Sequence, residues 1–180
     1  YSFDALARIP ALEGPRFTFA HIVIPHPPYV VGPKGEPIDD PRLELLGDNA
    51  WQLKEHYVNQ VLFTNLKVKE LVEVILAKES VPPVIILQGD HGTASSGEGG
   101  KGLSGLSPRL AKERMKIFNA YYLPGGKDLL YELITPVNTF RLIFHHLFGE
   151  NYPLLEDRSY FSTEERPYDF TDVTDIAGAP

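Results

Sequence analysis

The chain reads as an α/β protein built on a largely parallel or mixed sheet flanked by helices. Three observations predict this class. Two apolar, β-branched runs, "FTFAHIVI" at 17–24 and "VIIL" at 84–87, have strand composition and are closed by proline or glycine. A stretch of three- and four-residue apolar spacing, too long for a strand, lies between them. A second strand and helix pattern, "RMKIFNAYYLP" then "TPVNTFRLIFHHLFG", continues the alternation that characterises parallel sheets.

Taken in order, residues 1–16 show no clear period and contain Pro10, Gly14 and Pro15, a lead-in. The first strand, Phe17 to Ile24, is stopped by Pro25, Pro27 and Pro28, because proline has no N–H for a ladder. Residues 30–48 are turn-rich and read as a surface excursion. Val58, Val61, Leu62, Leu66, Leu71, Val72, Ile75 and Leu76 predict a long helix, with Lys67, Lys69, Glu70, Glu73 and Lys78 toward solvent. Asp48 or Asn49 suits its N-cap. The unbroken apolar character of Val84–Leu87 predicts a strand buried on both faces. Residues 93–107, "TASSGEGGKGLSGLS", are glycine-rich and fit either a lid or a tolerated insertion. A strand over 114–124 ends at Pro124 and Gly125. The last helix has Thr135 as N-cap, Pro136 at its first position and Gly149 beyond its end. Phe140, Phe144 and Phe148 share one face of it and predict core packing, as does Trp51. The tail from Tyr160 reads as loops or short strands.

Composition narrows the function. A chain of 180 residues, 43% hydrophobic and 23% charged, is expected to fold as one domain with a core of its own. With 0 cysteines it has no disulfide, thiolate site or cysteine nucleophile. A net charge of -7 leaves no basic excess for phosphate backbones, so nucleic acid is not an expected partner. No apolar run reaches the length of a membrane span. The first residue is Tyr1, which leads to the expectation that the chain belongs to something longer.

Two predicted strand ends carry chemistry, and strand ends are where open α/β sheets bind ligands. One is "PHPPY", with His26 and Tyr29; the other is "GDHG", with Asp90 and His91 between Gly89 and Gly92. Glycines on both sides allow a sharp, positive-φ exit that could converge the two side chains. A carboxylate and a neutral imidazole suit Zn or Mn, and a carboxylate alone suits Mg or Ca. The same four residues also make an ordinary turn. Arg109, Lys112 and Arg114 follow the glycine tract and could meet an anion or simply be solvated. His145 and His146 complement the dipole at a helix end, His21 reads as a sheet residue and His56 as a surface one.

"PHPPY", "GDHG" and the helix "TPVNTFRLIFHHLFG", in this order and spacing, resemble the sulfatase branch of the alkaline phosphatase superfamily. The likeness is greatest to the C-terminal part of lipoteichoic acid synthase and phosphoglycerol transferase proteins, and runs from about Phe17 to about Leu155. It implies that Asp90 and His91 ligate a divalent metal and that His26 contacts the transferred phosphoryl or sulfuryl group. Tyr29 and Arg109 are weaker substrate contacts. It also implies an anionic ester substrate, such as a lipid head group or cell-envelope polymer, in a membrane-anchored parent with this domain outside the cytoplasm. The family's nucleophile and a further acidic ligand precede the His-containing motif by a long stretch, whereas only 25 residues precede His26. The expectation is therefore the C-terminal part of a metal-dependent ester hydrolase or transferase, inactive by itself. The rival expectation is a sulfatase-like domain that only binds.

Overall fold

Helices and small antiparallel sheets make up the protein. The computed structural model describes residues 1–43, 45, 50, 53–94, 107–163 and 166–178, which group into two units, Tyr1–Pro83 and Val84–Pro180. Among the described residues every β pair is antiparallel, so the largely parallel sheet expected from the alternation is not what these strands form.

The first unit contains α1 (Ser2–Leu6), a 3-10 turn (Ile9–Ala11) and the long helix α2 (Lys54–Lys78), on which both pack. The expected strand Phe17–Ile24 is not formed among the described residues, with Ile24 already in a turn, and Phe17 and Phe19 are 79% and 81% exposed. Strand-like side chains do not suffice: a strand also needs a neighbour to take its N–H and C=O groups. His21, expected within a sheet, is exposed for the same reason. The caps proposed at Asp48 and Asn49, and Trp51, lie outside the described residues; α2 starts at Lys54, after Leu53.

The burial of α2 follows its apolar pattern only in part: Val61, Leu71, Val72 and Ile75 are half-buried, and Lys69, Glu70, Glu73 and Lys78 face solvent. Val58, Leu62, Leu66 and Leu76 are exposed, while Gln60 is 1% exposed. The Gln60 carboxamide accepts from the Val30 N–H at 2.9 Å and donates to the His26 carbonyl at 3.2 Å. One turn earlier, Tyr57 meets the buried ring of Tyr29 edge-on at 6.0 Å. The proline-rich loop, with cis bonds at Ile24–Pro25 and Pro27–Pro28, is therefore held to α2 by one amide and one aromatic pair.

In the second unit β1 (Ile85–Gln88) pairs with β2 (Asn119–Tyr122), Ile85 opposite Tyr122 and Gln88 opposite Asn119. Both strands are half-buried, not enclosed on both faces as the apolar run of β1 suggested. Helix α3 (Pro108–Met115) lies between them in sequence. Ser107 caps it by accepting the Leu110 N–H at 3.1 Å, and Pro108 occupies the first position. This start claims Arg114 and Met115 for the helix, so the strand expected from 114 begins only at Asn119. The glycine tract before Ser107 lies, for residues 95–106, outside the described residues. Ala111 and Met115 pack with Phe161, Val173 and Ile176, joining α3 to the tail: β3 (Tyr160–Phe161), β4 (Thr171–Asp172) and α5 (Thr174–Ala177).

Helix α4 (Pro136–Phe148) matches its sequence punctuation. Gly149 takes φ 69°, its N–H bonds the His145 carbonyl at 3.0 Å, and the Glu150 N–H bonds that of Phe144 at 3.3 Å. Its inner face, however, is Asn138, Thr139, Leu142 and Ile143. The Phe140, Phe144 and Phe148 stripe expected in the core is exposed, with rings 5.9 and 6.1 Å apart along the helix and Tyr152 6.0 Å from Phe144. Two apolar faces compete on this helix, and the one carrying Asn138 wins through hydrogen bonds that only burial makes valuable.

Those bonds form a closed set. Asn138 brackets Leu155, donating to its carbonyl at 2.8 Å and accepting its N–H at 2.9 Å. Asp157 accepts from the Thr135 N–H (2.7 Å), the Thr135 hydroxyl (2.6 Å), the Tyr131 hydroxyl (2.5 Å) and Asn138 Nδ2 (3.2 Å). Thr135 precedes the helix as expected, but the carboxylate that serves its donors comes from 22 residues downstream. Burial alone would raise the Asp157 carboxyl; the bonds from Thr135, Tyr131 and Asn138 outweigh it and leave the group below its ordinary value. The depressed folded-state value means that the contribution is present above the unfolded value, near about 3.9, and is lost as pH falls through the folded one. The thermal midpoint of the second unit should therefore fall on acidification below about pH 4. In Asp157→Asn it should be lower at neutral pH and flatter across that acid window, measured by circular dichroism melts at a series of pH values.

Among the described residues no helix is long and apolar enough to cross a membrane.

Candidate functional site

The loop after β1 is built on the end of α3. Gly89 N–H extends the β1–β2 pairing by bonding the Phe118 carbonyl at 2.8 Å, and Gly92 N–H bonds the Arg114 carbonyl at 2.7 Å. Between these two anchors stand Asp90 and His91, both exposed. Thr93 adds a hydroxyl bond to the Glu113 carboxylate. Neither flanking glycine has a positive φ, so the conformational reason inferred from the sequence does not hold. The need at Gly92 is space: a Cβ there would sit 2.0 Å from the Glu113 carbonyl and 2.7 Å from that of Lys116. At Gly89 a Cβ would meet only ordinary contacts, 3.7 Å and beyond.

Asp90 Oδ1 accepts the His91 N–H at 2.9 Å, which turns the carboxylate back toward the ring. Its Oδ2 then lies 3.5 Å from His91 Nε2. That is too long for a good hydrogen bond. It is close to the separation, about 3.4 Å, of two donors each about 2.1 Å from one tetrahedral ion. The side chains are 79% and 45% exposed, open to further ligands. The pair thus fits two corners of a metal site. Among the described residues no group of three or more His, Cys, Asp or Glu is placed to hold an ion.

His91 Nδ1 has two neighbours, the Gly92 carbonyl at 2.9 Å and Arg114 Nη1 at 2.8 Å, and the same Nη1 donates to the Gly92 carbonyl at 3.0 Å. Arg114 is thus tied to the candidate site, while Arg109 is exposed on the first turn of α3 and Lys112 has its own interactions.

His26 and Tyr29 belong to the first unit. His26 is exposed, its backbone N–H bonded to the Val23 carbonyl at 2.9 Å and its Nδ1 2.5 Å from the Pro27 carbonyl. Tyr29, expected to touch substrate, is 1% exposed and packs against Tyr57. Burial, with Tyr57 adding to it, pushes its hydroxyl up to about 12. Its oxygen has no hydrogen-bond partner among the described residues. Of the other histidines, His145 Nδ1 faces the Glu150 carbonyl at 3.1 Å, His146 Nε2 the Pro124 carbonyl at 2.7 Å, and His56 is half-buried rather than on the surface.

Sequence reasoning missed Gln60, whose only signal is a polar residue amid an apolar helical pattern, and gave Arg114 only a general attraction for anions. It had no means of pairing Arg114 with His91, 23 residues away. No protein-family model matches the chain, and neither a curated protein nor a solved structure does.

The contrast between the two glycines is directly testable. Gly92→Ala should destabilise the second unit by about 3 kcal/mol, since backbone carbonyls on a helix end cannot yield as a flexible side chain can. Gly89→Ala should change it by less than about 1 kcal/mol. Urea unfolding of both variants, followed by circular dichroism, checks the difference.

Proposed function

We propose that the chain supplies part of the active site of a metal-dependent phosphoryl or sulfuryl ester hydrolase or transferase of the sulfatase-like kind. Its share would be two ligands for a divalent cation, Mn, Zn, Mg or Ca, and a histidine for the substrate. The observation that carries this reading is the placing of Asp90 Oδ2 and His91 Nε2 3.5 Å apart on an exposed loop fixed at both ends. Ester chemistry enters through the resemblance of "PHPPY", "GDHG" and the terminal helix.

In that role Asp90 contributes negative charge and an oxygen donor, and His91 a neutral nitrogen donor. A bound divalent ion would polarise an ester oxygen. His26, exposed and with Nδ1 at the Pro27 carbonyl, would donate a hydrogen bond through Nε2 to negative charge developing on the ester group. The nucleophile and the remaining ligands would come from outside these residues, in a largely parallel or mixed sheet that the segment Phe17–Ile24 would join. Tyr29 would act by seating the His26 loop, not by touching substrate. A lipid head group or envelope polymer would be the ester's carrier.

Titration of the chain with Mn should selectively broaden the nuclear magnetic resonance signals of Asp90, His91 and Gly92, with a dissociation constant weaker than about 10 μM because two ligands alone hold the ion. Asp90→Asn should abolish the effect. Uniform broadening, or none, would leave the Asp-His-Gly sequence a turn and the chain a non-catalytic domain. In the protein extended upstream to include the nucleophile, Asp90→Asn should cost at least about 100-fold in metal-dependent cleavage of phosphodiester or sulfate ester substrates.

A further inference from the structure

The Nδ1 atom of His91 faces two partners that require opposite things of it. The Gly92 carbonyl, 2.9 Å away, can only accept, so it calls for a proton on Nδ1. The Arg114 guanidinium, 2.8 Å away, can only donate, so it calls for a lone pair there. A neutral imidazole satisfies one at a time, and the other ring nitrogen takes the opposite state.

Resting on the proposed metal reading, we propose that Arg114 is a positioning residue that holds the proton of His91 on Nε2, so that the ion-binding form becomes available only when the guanidinium gives way. With Arg114 donating to Nδ1, the proton sits on Nε2 and faces the Asp90 carboxylate, 3.5 Å away and negative. Nε2 then has no lone pair for an ion. When an ion takes Nε2, the proton moves to Nδ1, which donates to the Gly92 carbonyl in the arrangement usual for ligating histidines. The ring stays neutral; one proton changes nitrogen. Arg114 then loses its bond to Nδ1. It keeps its bond to the Gly92 carbonyl at 3.0 Å or swings outward, where it is available to an anion beside the ion.

The seam itself does not depend on this side chain, because Gly92 bonds the backbone carbonyl of Arg114. A variant can therefore remove the guanidinium and keep the loop. The test is the state of the His91 ring in the chain at about pH 8, where an ordinary imidazole is neutral, read from long-range proton–nitrogen couplings. Metal-free protein should show the proton on Nε2, and Arg114→Met should shift the population toward Nδ1. Zn should convert the wild-type ring to the Nδ1 form. Arg114→Met should bind Zn about tenfold more tightly by calorimetry, a gain of the size expected from removing one competing charged hydrogen bond. Arg114→Lys, which keeps a cationic donor, should restore the wild-type behaviour. A metal-free wild-type ring with its proton on Nδ1, or one unchanged in Arg114→Met, would overturn the proposal. Failure of Zn to perturb His91 at all would sink the metal reading instead, while the metal-free comparison would still decide the role of Arg114.

Discussion

A single missing methyl group organises the second unit. Because Gly92 has no Cβ, its backbone lies against the last carbonyls of α3, and its N–H takes one of them. Those carbonyls have no partners inside the helix, so the loop and the helix end complete each other. From that contact follow the direction of the loop, the nearness of Arg114 to His91, and the exposed stance of Asp90 and His91. The β1–β2 pair fixes the loop's other end through Gly89. Two backbone bonds on either side of two side chains form a rigid mount, which a pair of ligands requires if they are to meet one ion.

The first unit solves a similar problem with different means. Its motif loop has three prolines and few N–H groups to offer, so it cannot be held by a ladder. Gln60 substitutes for one, reading a carbonyl and an N–H four residues apart with the two ends of a single amide. Removing that side chain would leave both groups without their partner in a half-buried setting, which is the expensive way to lose a hydrogen bond. Asn138 does the same for Leu155 in the second unit. Both amides are almost fully buried, and both lock an irregular segment onto a helix.

Much of the local structure was legible. Proline and glycine marked the ends of α4, and the short apolar run gave β1 to within a residue. What failed were inferences about neighbours. The 17–24 segment has the composition of a strand but enters no ladder among the described residues, and the Phe140 stripe has the period of a core face but lost to the face bearing Asn138. Alternation of element types suggested parallel strands, yet β1 and β2 run antiparallel although α3 lies between them. Of the candidate site, adjacency put Asp90 beside His91 in any fold. Their spacing, the reason for Gly92 and the engagement of Arg114 all depend on α3 returning to the loop, which no local pattern encodes.

The exposed segment Phe17–Ile24 also bears on how such a chain fares in a cell. Eight successive residues, with phenylalanines at 17 and 19 and a "HIVI" run, combine strand propensity with little charge and few breakers until Pro25. Exposed at Phe19 and outside the named strands, the segment has the character of one onto which another strand can add. Pro15 and Arg16 before it and the three prolines after it act as gatekeepers on both sides. Residues 17–24 thus carry the composition of an association-prone stretch, tempered by the charge and prolines that bracket it.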